Sequence, residues 1–171
     1  MNGRNLWWCT ILAVSLIPSL PLHTRGKAPA NHPAGRNIMD MKFVTVPGLP
    51  TCAPGSVQSG DPTKGPFIVL GKLAAGCSVP WHWHTANEHL MMVGGEARIE
   101  VKDGNPFTLR TGGFALMPSR HIHQARCVTP CTLYVYSDAA FDIHYVDAQG
   151  KEISPDAALK TVRETTAKPM K

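Results

Sequence analysis

The sequence predicts an all-β fold, a small closed barrel or jelly roll, followed by one short C-terminal helix. Three observations carry this expectation. Fifteen glycines and fifteen prolines punctuate the 171 residues, which favours frequent turns and short strands over long helices. Between them lie short β-branched or alternating runs, eight or more, one after another. Only the stretch after Ser154 has the composition of a helix. A chain of this length forms one domain with a substantial core, and a hydrophobic fraction of 43% is ordinary for a globular protein.

The elements follow in order. "KFVTV" (42–46) is a first short strand, and residues 47–66 are loop in which "GSV" can pair briefly. "FIVLGKLAAG" (67–76) is apolar and β-branched. "SVPWHWH" (78–84) alternates, and "EHLMMV" (88–93) stops at Gly94-Gly95. "EARIEVK" (96–102) places Ala97, Ile99 and Val101 on one face and Arg98, Glu100 and Lys102 on the other. "DGN" (103–105) is a hairpin turn signal before "PFTLR". "TGG" (111–113) turns into "FALMP", "HIHQARC" (121–127) leads to "TLYVYS" (132–137), and "FDIHYVD" (141–147) is the last strand. Ser154 is a helix N-cap, Pro155 suits the first helical position and Asp156 the N-terminal end of the dipole.

The formal charge of +5 gives no case for nucleic-acid binding, because of its distribution. Arg4, Arg25, Lys27 and Arg36 are unopposed in residues 1–36, leaving 13 basic and 12 acidic residues in 37–171. A near-neutral domain without a basic stripe offers no phosphate-binding face. Arg4 precedes the apolar run Leu6–Ile17, which ends at Pro18. A run of twelve residues is too short for a membrane span, so no stable span is expected, and the arrangement reads as a secretory signal. Cleavage after "AVS" at Ser15 and after "APA" at Ala30 both remain open, as does an uncleaved apolar N-terminus. Residues 1–30 are therefore assigned to a signal peptide and leader, 31–41 to a flexible linker and 42–171 to a single domain, exported to a periplasm or secreted.

Export permits disulfides. Loss of Cys9 with the signal leaves Cys52, Cys77, Cys127 and Cys131. "CVTPC" places a three-residue turn between two strand-like runs, and opposed residues across a tight hairpin have separations that suit a bridge. Cys127–Cys131 is favoured on this ground, with Cys52–Cys77 as the remaining pair. A free Cys127 shares parity with His123 and would be able to face inward beside it.

"GCSVPWHWHTANEHLMMVGG" (76–95) carries the chemistry. Residues two apart on a strand point to one face, so His82 and His84 project together, and Glu88 follows at a spacing that can return to that face. Two imidazoles and a carboxylate suit a borderline divalent metal. A further ligand is expected from the second histidine pair, His121 and His123. At these residues the sequence resembles the cupins. Gly76, His82, His84, Glu88 and Gly95 match every fixed position of that family's first motif. Gly112, Pro118 and His123 match the second, in which Arg120 replaces a glycine and Cys127 an asparagine. The sixteen residues between the motifs are near the short end of the usual spacing, and the resemblance covers roughly Phe67 to Val146.

The resemblance implies a cupin-type barrel, a double-stranded β-helix or jelly roll. It implies that His82, His84, Glu88 and His123 ligate one divalent transition metal (Fe, Mn, Zn, Ni, Co or Cu). It further implies a metal-dependent enzyme acting on a small molecule, of dioxygenase or lyase/isomerase type. The alternative is a non-catalytic cupin that binds a metal or small ligand as sensor or carrier. His121 is the candidate catalytic proton shuttle, with exposure at the rim as its bland alternative. His89 and His144 are expected to be structural, and Trp81 and Trp83 to serve packing or a subunit contact. Leu90, Met92, Phe114 and Leu116 or Met117 are candidates for an apolar pocket wall. Single-barrel cupins often pair, so a homodimer through the Trp-rich strand or residues 42–46 is the expected assembly.

Overall fold

The computed structural model describes residues 35–166; the expected signal segment lies outside them. The described residues from Arg36 onward belong to one compact unit. A single 3₁₀ turn at Ile38–Asp40 precedes ten strands. These are β1 (Gly55–Gly60), β2 (Phe67–Leu73), β3 (Ser78–Trp83), β4 (Glu88–Gly94) and β5 (Glu96–Val101). Then come β6 (Phe107–Arg110), β7 (Phe114–Met117), β8 (His123–Cys127), β9 (Cys131–Ser137), β10 (His144–Tyr145) and the helix α1 (Pro155–Thr166). They form two five-stranded sheets with orders β1-β2-β9-β4-β7 and β10-β3-β8-β5-β6. Every pairing between these strands is antiparallel, as in a jelly roll.

The alternation of β5 is realised: Ala97 and Ile99 are buried and Arg98 is exposed. Leu90 and Met92 of β4, Ala115 and Met117 of β7 and Leu133 of β9 bury with them in one core drawn from both sheets. A second apolar cluster joins Val79 and Tyr145 to Ala158 and Leu159 of α1. The helix starts as its sequence dictates, the Ser154 Oγ accepting from the Ala157 amide at 3.2 Å.

Two elements differ from expectation. Residues 42–46 form no strand; Val44 alone makes a bridge, to Gly55. The six residues of β1 take that place because one edge of β2 is filled by β9 and the other is open to Gly55–Gly60. Pairing with that edge outweighs the low strand propensity of "GSVQSG". The last strand is two residues, not seven, since only His144 and Tyr145 face β3. Both expected cysteine pairs are bridged, Cys52–Cys77 and Cys127–Cys131, with Cα separations of 5.7 and 6.0 Å. The second bridge does not cross a hairpin within one sheet: β8 and β9 belong to different sheets, and the disulfide spans the turn that joins them.

Gly95 closes the histidine-bearing motif for a steric reason. Its φ is +92°, and a Cβ there would collide with the Pro130 carbonyl and crowd the Cys131 backbone. A left-handed backbone alone costs a non-glycine residue about 1–2 kcal/mol, and the collision adds to it. Gly95→Ala is therefore expected to lower unfolding free energy by at least about 1–2 kcal/mol, checked by urea denaturation.

Candidate metal centre

His82, His84, Glu88 and His123 come together in the barrel interior. One ligand atom from each lies within 4.8 Å of all the others. The sheets supply them from two sides. His82 and His123 are directly paired across β3 and β8, and His84 follows just after β3. Glu88 opens β4 in the facing sheet, paired there with Ser137 and Met117. The three imidazoles are buried, with exposures of 3%, 8% and 2% for His82, His84 and His123.

Strict alternation along β3 does not deliver this arrangement. The register runs Val79 to Ala125 and then His82 to His123, three steps on β3 against two on β8. An extra residue in the Pro80–Trp81 segment makes a bulge, which re-aims the side chains that follow it. Proline suits such an irregularity because it has no amide hydrogen to contribute to the ladder.

The same backbone fixes the imidazole tautomers. His82 Nδ1 lies 2.6 Å from the Pro80 carbonyl and His123 Nδ1 lies 2.9 Å from the His121 carbonyl. His84 Nδ1 bonds to the Asp142 carbonyl. A carbonyl can only accept, so each Nδ1 carries the proton and each neutral ring keeps a lone pair on Nε2. His123 Nε2 is 3.3 Å from Glu88 Oε2, and His84 Nε2 is 3.7 Å from Glu88 Oε1. His84 Nε2 is buried without a hydrogen-bond partner. Lone pairs facing a carboxylate at these distances need a cation between them, either a proton or a metal ion. The donor set, three imidazoles and one carboxylate, suits a borderline transition metal.

The protonation balance reflects this crowding. Burial, with His123 and His84 close by, holds His82 well below its ordinary value. Burial pushes the Glu88 carboxyl up, but when the neighbouring imidazoles carry protons, a bond from His123 and the charges of His84 and His82 outweigh it and hold the group down at about 2.

The remaining sequence candidates fall elsewhere. The His121 imidazole is exposed, and the residue touches the site through its carbonyl. His89 points to the other face of β4, beside Phe114 and Tyr136. His144 stacks on Trp83 with ring centroids 3.9 Å apart. Phe114 and Leu116 do not wall the interior: they are 61% and 46% exposed. The register that turns Ala115 and Met117 inward sends them out. Trp81 lines a cavity of about 200 Å³ with Lys102 and Ile122; none of the four clustered residues lines it. Sequence reasoning missed Asp142, whose carbonyl holds His84 and whose Oδ1 accepts from the Thr85 amide at 2.8 Å. The contact spans more than fifty residues and leaves no periodic signal.

This geometry is a two-sheet jelly roll that encloses a His₃Glu group able to hold a metal ion. The cupin domain model matches residues 69–137, and the chain carries a cupin domain there. An RmlC-like cupin from Shewanella frigidimarina is similar at 19% identity and a TM-score of 0.53, covering 63% of this chain and 91% of that one. The KdgF protein of a Halomonas species is similar at 16% identity and a TM-score of 0.53, covering 65% and 96%. The DMSP lyase DddQ from Ruegeria pomeroyi is similar at 18% identity and a TM-score of 0.50; this chain covers 60% of its length with 66% of its own. These likenesses concern the fold. No curated protein matches the sequence.

Stability should follow the two shifted groups. Below about pH 6.5 the unfolded chain binds a proton on His82 that the fold resists, so that contribution is full above this pH and declines below it. The Glu88 contribution is full above 4.5 and is lost as pH falls toward 2. Both signs agree: the urea midpoint of the metal-free protein should fall below about pH 6.5 through His82, and fall further below about pH 4.5 as Glu88 adds its loss, measured by circular dichroism.

Proposed function

We propose that this chain is a metal-dependent cupin that acts on a small molecule, with one divalent transition metal held by His82, His84, Glu88 and His123. One observation carries the reading. Three buried rings each spend Nδ1 on a backbone carbonyl, which leaves Nε2 unprotonated on each, and two of these lie 3.7 and 3.3 Å from the Glu88 carboxylate. A solvated or merely structural histidine cluster has no need of that arrangement.

The chain's own residues have definable tasks. The Pro80, His121 and Asp142 carbonyls fix tautomer and ring orientation, which raises the basicity of the ligating nitrogens. Glu88 brings one negative charge, leaving a divalent ion with a net positive site that attracts an electron-rich substrate group. Phe141, 5.9 Å from the His84 ring, and Phe67 edge-on to it limit water on that side. A bound ion would supply Lewis-acid chemistry or, if redox-active, electron transfer at its open positions. Oxygenase and lyase or isomerase reactions both fall within that range, and the fold does not choose between them. The second reading is a sensor or carrier that binds metal or ligand without turnover.

We further read the protein as exported. The two disulfides support this, and among the described residues no helix is long and apolar enough to cross a membrane.

Elemental analysis tests the metal assignment: stoichiometric metal is expected in the wild type, with loss in His84→Ala. Metal absent from both after reconstitution would contradict it. His121 separates relay from scaffold. Because its carbonyl, not its ring, holds His123, His121→Gln should retain metal. If the ring carries protons, turnover should fall by about 10²-fold or more, measured by steady-state kinetics once a substrate is in hand.

A further inference from the structure

We propose that Asp142, assisted by Asp138, is a positioning residue that clamps the turn bearing two of the four clustered side chains and so sets metal affinity. This rests on the metal reading above. His84 and Glu88 stand at the two ends of the turn 84–88, and their separation is fixed by what holds the three residues between them.

The turn is tied from two directions. From the loop between β9 and β10, Asp142 Oδ1 accepts from the Thr85 amide at 2.8 Å. Asp138 accepts from the Asn87 amide at 3.0 Å and from its Nδ2 at 2.6 Å. From the loop between β7 and β8, the Ser119 amide donates to Asn87 Oδ1 at 3.0 Å and its hydroxyl to the Thr85 carbonyl at 2.6 Å. The Arg120 amide donates to the His84 carbonyl at 2.8 Å.

Asp142 is distinct among these because it holds the ring of a clustered histidine as well as the backbone of the turn. Its carbonyl takes the His84 ring proton while its carboxylate takes the amide of the next residue, so one residue orients both the ligand's ring and its backbone. The carboxylate is itself held: Oδ2 accepts from His144 Nε2 at 3.3 Å. His144 stacks flat on Trp83, and the Arg120 guanidinium lies 4.8 Å from the Trp83 ring. Arg120 adopts φ +61°, a conformation that is costly for a residue other than glycine and persists only when its surroundings enforce it. Its amide on His84 and its guanidinium on Trp83 are that enforcement. Arg120, Trp83, His144 and Asp142 therefore form one chain of contacts that leads back to the His84 ring.

The test is Co(II) affinity by chelator competition, with the absorption spectrum of the Co(II) form, for wild type, Asp142→Asn, Asp142→Ala and Asp138→Ala. Thermal unfolding of each metal-free form checks folding. Outer partners of metal ligands are worth about 10–100-fold in affinity. Asp142→Ala should bind Co(II) at least about 10-fold more weakly with shifted bands. Asp142→Asn, which keeps an acceptor for Thr85 but loses the bond from His144, should fall between it and wild type. If Asp142→Ala does not fold, Asp142→Asn alone decides. Folded Asp142 variants with wild-type affinity and spectrum would overturn the clamp while leaving the metal site standing. A folded wild type that takes up no Co(II) would instead overturn the metal reading beneath it.

Discussion

The geometry of the site depends on three hydrogen bonds from imidazole Nδ1 to backbone carbonyls. Each removes one of a ring's two choices of proton position. Together they commit three buried rings to an unprotonated Nε2, and those of His84 and His123 face Glu88. Without them, three neutral imidazoles could rotate and satisfy one another. With them, the interior holds a carboxylate and an orphaned His84 nitrogen that a cation would reconcile. Buried polar groups are costly when unpaired, and that cost is the physical ground for the proposed metal.

The fold makes those bonds possible by irregularity. The β3 bulge turns His82 to the interior and presents the Pro80 carbonyl at hydrogen-bond distance. The start of β8 presents the His121 carbonyl to His123 in the same i, i−2 relation. The β9–β10 loop brings in the Asp142 carbonyl from the other side. Because Glu88 belongs to the facing sheet, the cluster also spans the sandwich. The apolar core that packs the sheets, through Leu90, Ile99, Met117 and Leu133, therefore sets the ligand separation as well as stability.

Much of this was legible in the sequence. The short strands and turn residues predicted a closed barrel or jelly roll, and the resemblance carried by Gly76, His82, His84, Glu88, Gly95 and His123 implied the cluster. The strands of 96–137 were legible from period-two alternation and turn residues. The β3 bulge was not: simple alternation already placed His82 and His84 together, so nothing signalled that Val79 and His82 would share a burial state three residues apart. Strand β1 was legible only as the brief pairing of "GSV"; its extension to Gly60 is set by the open edge of β2 and not by its own composition. The outward turn of Phe114 and Leu116 was missed because "FALM" is apolar at every position and carries no phase. Asp138 and Asp142 were missed because their contacts are made across the fold by loops, where sequence period has no meaning.

X-ray absorption spectroscopy on protein loaded with one equivalent of metal tests the central claim most directly. Imidazole rings give outer-shell multiple scattering, and sulfur gives a longer, heavier first shell near about 2.3 Å for zinc. The account predicts scattering from three imidazoles and a light first shell of nitrogen and oxygen, with no sulfur. A sulfur shell, or fewer than two imidazoles, would contradict it.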